Sequence, residues 1–422
     1  FIYKHVNYNT RFPANLGKIL SCNVNRPIFI LEWEMGLISL LNINISQAVM
    51  ASFSNLLMNQ SCFVACSKNG LRKSILHDLH ERQGQSPYYD KICRPATELL
   101  PLLASGIKGV TSNPKIFERS ILSSKAYDEQ FRELAKEGKD VESAYWELVT
   151  KDIRDTSVIL EPIYKETAGL DGYVSVQVSP WLADNTEETV EAAKWLHKKL
   201  GRPNVYIKIP ATAESIPAIK QVISQGISVN ATVIEAYLNG LESSGLSDLS
   251  AISSAAAFYI SRVDAVVDAE LEKIATHQAL ELRGKAARAQ AAIAYKIFRE
   301  KFSGPRWEAL AKRGAKKQRL MWASTNVKNP AYPDTYYVDL LIGPETISTI
   351  PEEALGAFMD HGIVSRTLDS NMEEAESVYK GIEKLGIDWK GIGWQLEDQV
   401  LDLFKKSYDT VLYSLQHKAL IY

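Results

Sequence analysis

Cysteine is scarce in this chain. Four among 422 residues, with no C-x-x-C pair, exclude a disulfide framework and leave a protein that is reduced or indifferent to redox state. Excess charge is missing too. Forty-eight basic residues against 50 acidic ones give a net charge of −2, so nothing global favours nucleic acid or a membrane surface. The apolar run "GLISLLNINI" is too short for a membrane span and carries asparagines. No glycine-rich G-x-G-x-x-G follows any strand-like run, and "GIGWQ" near Gly391 lies in a helical context, which counts against a dinucleotide fold. What remains, 46% apolar and 23% charged residues, is the composition of an ordinary globular protein.

Acidic residues are nearly absent from the first 75 positions. Only Glu32 and Glu34 occur there, against Lys4, Arg11, Lys18, Arg26, Lys68, Arg72 and Lys73, together with three of the four cysteines. From Met50, "MASFSNLLMNQSCFVACSKNGLRKS" lacks acids and is rich in serine and small residues, as transit peptides are. Residues 1–49 read as translated leader or a gene-model error. The expected organisation is a disordered targeting segment over 1–73, a folded unit over 74–422 and a plastid location, with the cytoplasm as the alternative.

Beyond that segment, β-like runs alternate with amphipathic helical stretches. The runs are "SILHDL", "IKGVTS", "YVSVQVS", "NVYIKI", "ISVNATVI", "AAAFYIS", "RLMWAST" and "TISTI". Helical patterns such as "TEETVEAAKWLHKKL", with acids in the first turn, separate them. Alternation of this kind predicts right-handed crossovers and a parallel sheet. Eight units in this length predict a (β/α)8 TIM barrel with additional helices; an open doubly wound sheet is the alternative.

In such a barrel active-site groups occupy the C-terminal strand ends. Lys208, flanked by Ile207 and Ile209 near the end of the fourth run, is a candidate nucleophile. An ammonium among apolar neighbours loses hydration, and the neutral amine attacks carbonyls to form a Schiff base. A lysine that snorkels from the rim or pairs with an acid is the plainer account. Asn113 follows the second run and precedes Pro114, which biases it to an extended conformation and sets where its amide points. A turn-forming asparagine is the alternative there. Asp78, placed on the first run, offers a carboxylate to a substrate hydroxyl, or is a plain exposed aspartate. His77 and His80 share a metal only on a helix, and no further ligands accompany them, so no metal is expected.

The order and spacing of "GVTSNPKIF", "VSVQVSP", "NVYIKIPAT", "SVNAT", "FYISRVD" and "WASTNVKNPAY" resemble the transaldolase family, in its plant and bacterial branch, from about Leu71 to the C-terminal helices. The resemblance implies a pentose-phosphate enzyme without cofactor that moves a dihydroxyacetone unit from sedoheptulose 7-phosphate to glyceraldehyde 3-phosphate, with fructose 6-phosphate and erythrose 4-phosphate as the related pair. By the same resemblance Lys208 is the Schiff-base lysine, Asp78 the acid/base, Asn113 a ligand of the three-carbon unit and Thr232 a holder of the catalytic water. Arg262 and Ser324 match phosphate-side positions, and Lys328 is an additional one. A different Schiff-base aldolase on the same barrel accounts for Lys208 but not for "TSNP" with "WASTNVKNPAY".

Departures from the family pattern accompany the likeness. Gln177 stands where a glutamate is usual, Trp181 where an arginine is, and Ala257 where a serine contacts substrate. About ten residues usual after Ile234 are absent. The readings left open are a working enzyme of reduced activity and a non-catalytic sugar-phosphate binder or mis-spliced product. No heptad or exposed patch marks an oligomer interface; a homo-oligomer is compatible with the sequence.

Overall fold

A computed structural model of the chain describes residues 73–421; the expectations for the targeting segment lie outside them, Lys73 apart. Eight parallel strands close into a barrel in sequence order. They are β1 (Gln85–Tyr89), β2 (Gly109–Val110), β3 (Val174–Gln177), β4 (Val205–Lys208), β5 (Val229–Asn230), β6 (Ser254–Tyr259), β7 (Arg319–Ala323) and β8 (Thr346–Ile350). β8 returns to β1 with Gln85 opposite Thr346 and Tyr89 opposite Ile350. Seven of the eight predicted runs coincide with strands. The helix Thr186–Leu200 covers the predicted amphipathic stretch, starting at Asn185, whose side chain accepts from the Glu188 amide, and ending at Gly201 in the left-handed region at φ 58°.

The first run is the exception, and it corrects the sequence reading. "SILHDL" is not β1: Ile75–Gln83 is a helix. Ser74 caps it in a reciprocal box with His77, Leu76 and Leu79 bury one face, and Gly84 at φ 68° ends it. The true first strand, "QSPYY", carries a proline and two polar residues, so its composition reads against a strand. Long-range bonds hold it. Gln85 donates to the Leu341 carbonyl at 2.7 Å and to Thr346 Oγ1 at 2.9 Å, and Ser86 donates to Asp171 at 2.8 Å.

Inside the barrel, Tyr88, Tyr173, Tyr206, Ala255, Ala257, Met321 and Ile347 form their own apolar cluster. The rings of Tyr173 and Tyr206 stack 4.0 Å apart. Below them Arg319 pairs with the buried Asp171 at 2.6 Å. Burial pushes the Asp171 carboxyl up, but the Arg319 guanidinium and bonds from His80 and Ser86 outweigh it and hold it far below the usual value. The N-terminal half of the barrel is thereby filled, and open volume is left at the C-terminal ends. There the helix Trp389–Ala419 packs against Pro114–Ser123, Val141–Glu166 and Ile260–Ile274, burying Val400, Phe404, Tyr408, Val411 and Leu415.

Candidate active site

Lys208 ends β4. Tyr206, two residues earlier, belongs to the interior cluster, so strand alternation turns Lys208 inward as well. Its ammonium lies 5.4 Å from the centre of the Tyr259 ring and 5.9 Å from that of Phe404. Among the described residues no carboxylate comes within ion-pair distance of it. Of the plainer accounts, a lysine paired with an acid does not describe this geometry.

A cavity of about 300 Å³ opens over Lys208. Gln177, Asn230, Thr232 and Ala257 line it from the strand ends, Phe404, Val400 and Glu397 from the C-terminal helix, and Gln290 from the helix Ala286–Lys301. In the strand register Gln177 pairs with Lys208 and Lys208 with Asn230, which makes a row of polar groups across three strands. Gln177 Oε1 and Asn230 Oδ1 are buried without a protein partner. An unmet buried acceptor costs about 1–3 kcal/mol, so both are poised for a water or substrate hydroxyl. Asn230 Nδ2 reaches Met321 Sδ at 3.5 Å. Thr232 donates its hydroxyl to the Ala257 carbonyl at 2.7 Å and keeps lone pairs for a further donor.

A further carboxylate close enough to feel the Lys208 charge is Asp90, immediately after β1, and sequence reasoning missed it. Thr111 donates to it at 2.6 Å, and its own amide donates to the Ile350 carbonyl at 3.1 Å. Burial raises its pKa, while Thr111 and the positive charge of Lys208 pull it down. Asp78, given this place by the sequence, is instead on the outer helix Ile75–Gln83 and pairs with Arg82 at 3.2 Å. The acid one position past the buried pair Tyr88-Tyr89 was the available signal, hidden by the misplaced strand.

Asn113 caps the helix Pro114–Ser123: its Oδ1 accepts from the Ile116 amide at 3.0 Å, leaving the amide Nδ2 to meet a ligand. Arg262, Ser324 and Lys328 gather at the ends of β6 and β7. Ser324 sits in the left-handed region at φ 56°, and its carbonyl accepts from the Ser261 amide at 3.2 Å, beside Arg262. Desolvation, then the Arg262 charge, lowers the Lys328 pKa. Arg262 lies in the first turn of the helix Ile260–Ile274, which has no side-chain cap. Two cations at a helix N-terminus without a side-chain cap form an anion-binding arrangement. Trp181 is tied to the C-terminal helix, donating to Asp409 at 2.9 Å beneath the Lys405 ammonium, 5.0 Å from its ring.

Residues 88–415 match the family model described as Transaldolase/Fructose-6-phosphate aldolase. The chain is 44% identical over 325 residues to a transaldolase of a Parafrankia species, covering 74% of this chain and 88% of that one. It is 43% identical over 348 residues to transaldolase 1 of Streptomyces avermitilis (78% and 92%) and 43% over 346 to a transaldolase of Thermobifida fusca (78% and 94%).

Proposed function

Because the chain belongs to the transaldolase family, we propose that it transfers a dihydroxyacetone unit from sedoheptulose 7-phosphate to glyceraldehyde 3-phosphate through an imine at Lys208. The observation that carries this reading is an inward lysine without a carboxylate partner in a cavity at the barrel mouth. The amine adds to the ketone C2 of the donor and water leaves, giving an iminium. Asp90 takes the proton of the C4 hydroxyl as the C3–C4 bond breaks; the bonding pair moves to the iminium nitrogen and an aldehyde departs. The enamine then adds to the acceptor aldehyde, whose oxygen takes its proton back from Asp90. Water, held by Thr232 and Gln177, hydrolyses the new iminium and frees Lys208. Asn113 contacts the three-carbon unit, while Arg262, Ser324 and Lys328 receive the phosphate.

The Gln177 amide supports a second reading. An amide orients water but does not accept its proton, so a binder that forms the imine and releases it slowly is the alternative. The helix after β5 begins directly at Ile234 with no side-chain cap, where family members carry about ten more residues, and this favours the same alternative. Borohydride reduction with fructose 6-phosphate, followed by peptide mapping, tests the Lys208 step: an adduct elsewhere, or none at saturation, rejects both the lysine and its chemistry. A coupled assay that also measures free dihydroxyacetone separates transfer from aldol cleavage, which the family description covers as well. The plastid location is proposed from the Met50 segment alone, and a fluorescent fusion of residues 50–73 that stays in the cytosol rejects it.

A further inference from the structure

The cavity over Lys208 has two kinds of wall. The inner wall, from strand ends, carries Lys208, Gln177 and Thr232, which the proposed chemistry uses. The outer wall comes from two helices outside the strand ends and holds Gln290 and Glu397, neither of which has a hydrogen-bond or ion-pair partner among the described residues. Neither is needed to hold the fold at that point: Gln290 is half-buried on Ala286–Lys301, and Glu397 is exposed on Trp389–Ala419. Apolar Val263 and Leu396 line the same cavity.

We infer that Gln290 and Glu397 form a hydroxyl-reading subsite that grips the polyol chain of the sugar beyond the three-carbon unit bound at Lys208. This rests on the function proposed above. A carboxylate accepts from one or two neighbouring sugar hydroxyls in short, charge-assisted bonds, and an amide both donates and accepts, so the pair suits a polyhydroxylated chain. It does not suit a phosphate. Asp184, Glu214 and Asp398 add negative charge around Glu397, and Lys405 lies 3.9 Å from Asp184. That field repels the anion and leaves it to Arg262 and Lys328, so fields of opposite sign select the two ends of the substrate. Partial desolvation against the cavity wall, then these neighbouring acids, also raises the Glu397 pKa, which strengthens it as an acceptor.

Calorimetric titration of the full chain tests this without relying on turnover. Glu397→Ala and Gln290→Ala are each expected to weaken binding of sedoheptulose 7-phosphate about tenfold, the loss for one good hydrogen bond, and to leave inorganic phosphate binding within twofold. Both positions lie on helix surfaces where alanine is well tolerated, and circular dichroism checks the fold. Unchanged affinity for the seven-carbon sugar overturns the subsite. So does tighter binding of both ligands in Glu397→Ala, because the carboxylate then acts only as a repulsive charge. Failure to trap an adduct at Lys208 rejects the proposed chemistry, whereas these affinities read the subsite by itself.

Discussion

Gln177 and Lys208 are register partners on neighbouring strands at the barrel mouth, so an unpartnered amide oxygen stands beside the Lys208 amine. A carboxylate in that place takes a proton from water; an amide does not. Gln177→Glu is therefore expected to raise kcat by about 10²-fold or more, the worth of one positioned base, with KM within twofold because the phosphate rests on Arg262 and Lys328. Steady-state kinetics with sedoheptulose 7-phosphate checks it. No gain, even when about ten residues are restored after Ile234, favours the non-catalytic binder.

Asp90 and Asp78 make opposite predictions. Asp90→Asn keeps the Thr111 contact and loses the base, so kcat is expected to fall by about 10³-fold. Asp78→Ala removes only a surface pair with Arg82, worth at most about 1 kcal/mol, and should leave kcat unchanged. Equal losses in the two variants contradict the assignment.

Phe404 roofs Lys208 from the C-terminal helix and is 5% exposed. Phe404→Ala is expected to cost about 3 kcal/mol in urea unfolding, the usual penalty for a buried aromatic. It also opens the cavity, so a lysine-acylating reagent should modify Lys208 several-fold faster, read by mass spectrometry. Unaltered labelling means that the helix does not limit access.

Asp264 sets a pH dependence. Burial lifts its carboxyl to about 6, against hydrogen bonds from the Ala287 amide and the Tyr337 hydroxyl. The folded protein therefore keeps a proton that the unfolded chain, with a value near 3.8, has released. Its contribution to stability is complete below about pH 4, declines as pH rises to about 6, and totals up to ~3 kcal/mol. Asp264→Asn should flatten that decline relative to the natural chain in unfolding titrations between pH 4 and 7. Parallel curves for the two proteins exclude the assignment.

The local sequence determined most of the barrel. Seven strands are short apolar or β-branched runs set between amphipathic helices, and period and propensity suffice to read such runs. Lys208 stood out for the same reason, as one polar residue in an apolar strand. Tertiary structure decided the rest. "QSPYY" is a strand only because partners far along the chain, at Leu341, Thr346 and Asp171, satisfy its buried polar groups, and no local pattern encodes those bonds. With β1 misplaced, Asp78 took the position that belongs to Asp90, since a strand-end role is inherited from the strand. Phe404, Gln290 and Glu397 reach the cavity from helices distant in sequence. Their meeting with Lys208 is set by how helices pack across the mouth, a property of the folded surfaces and not of any one segment.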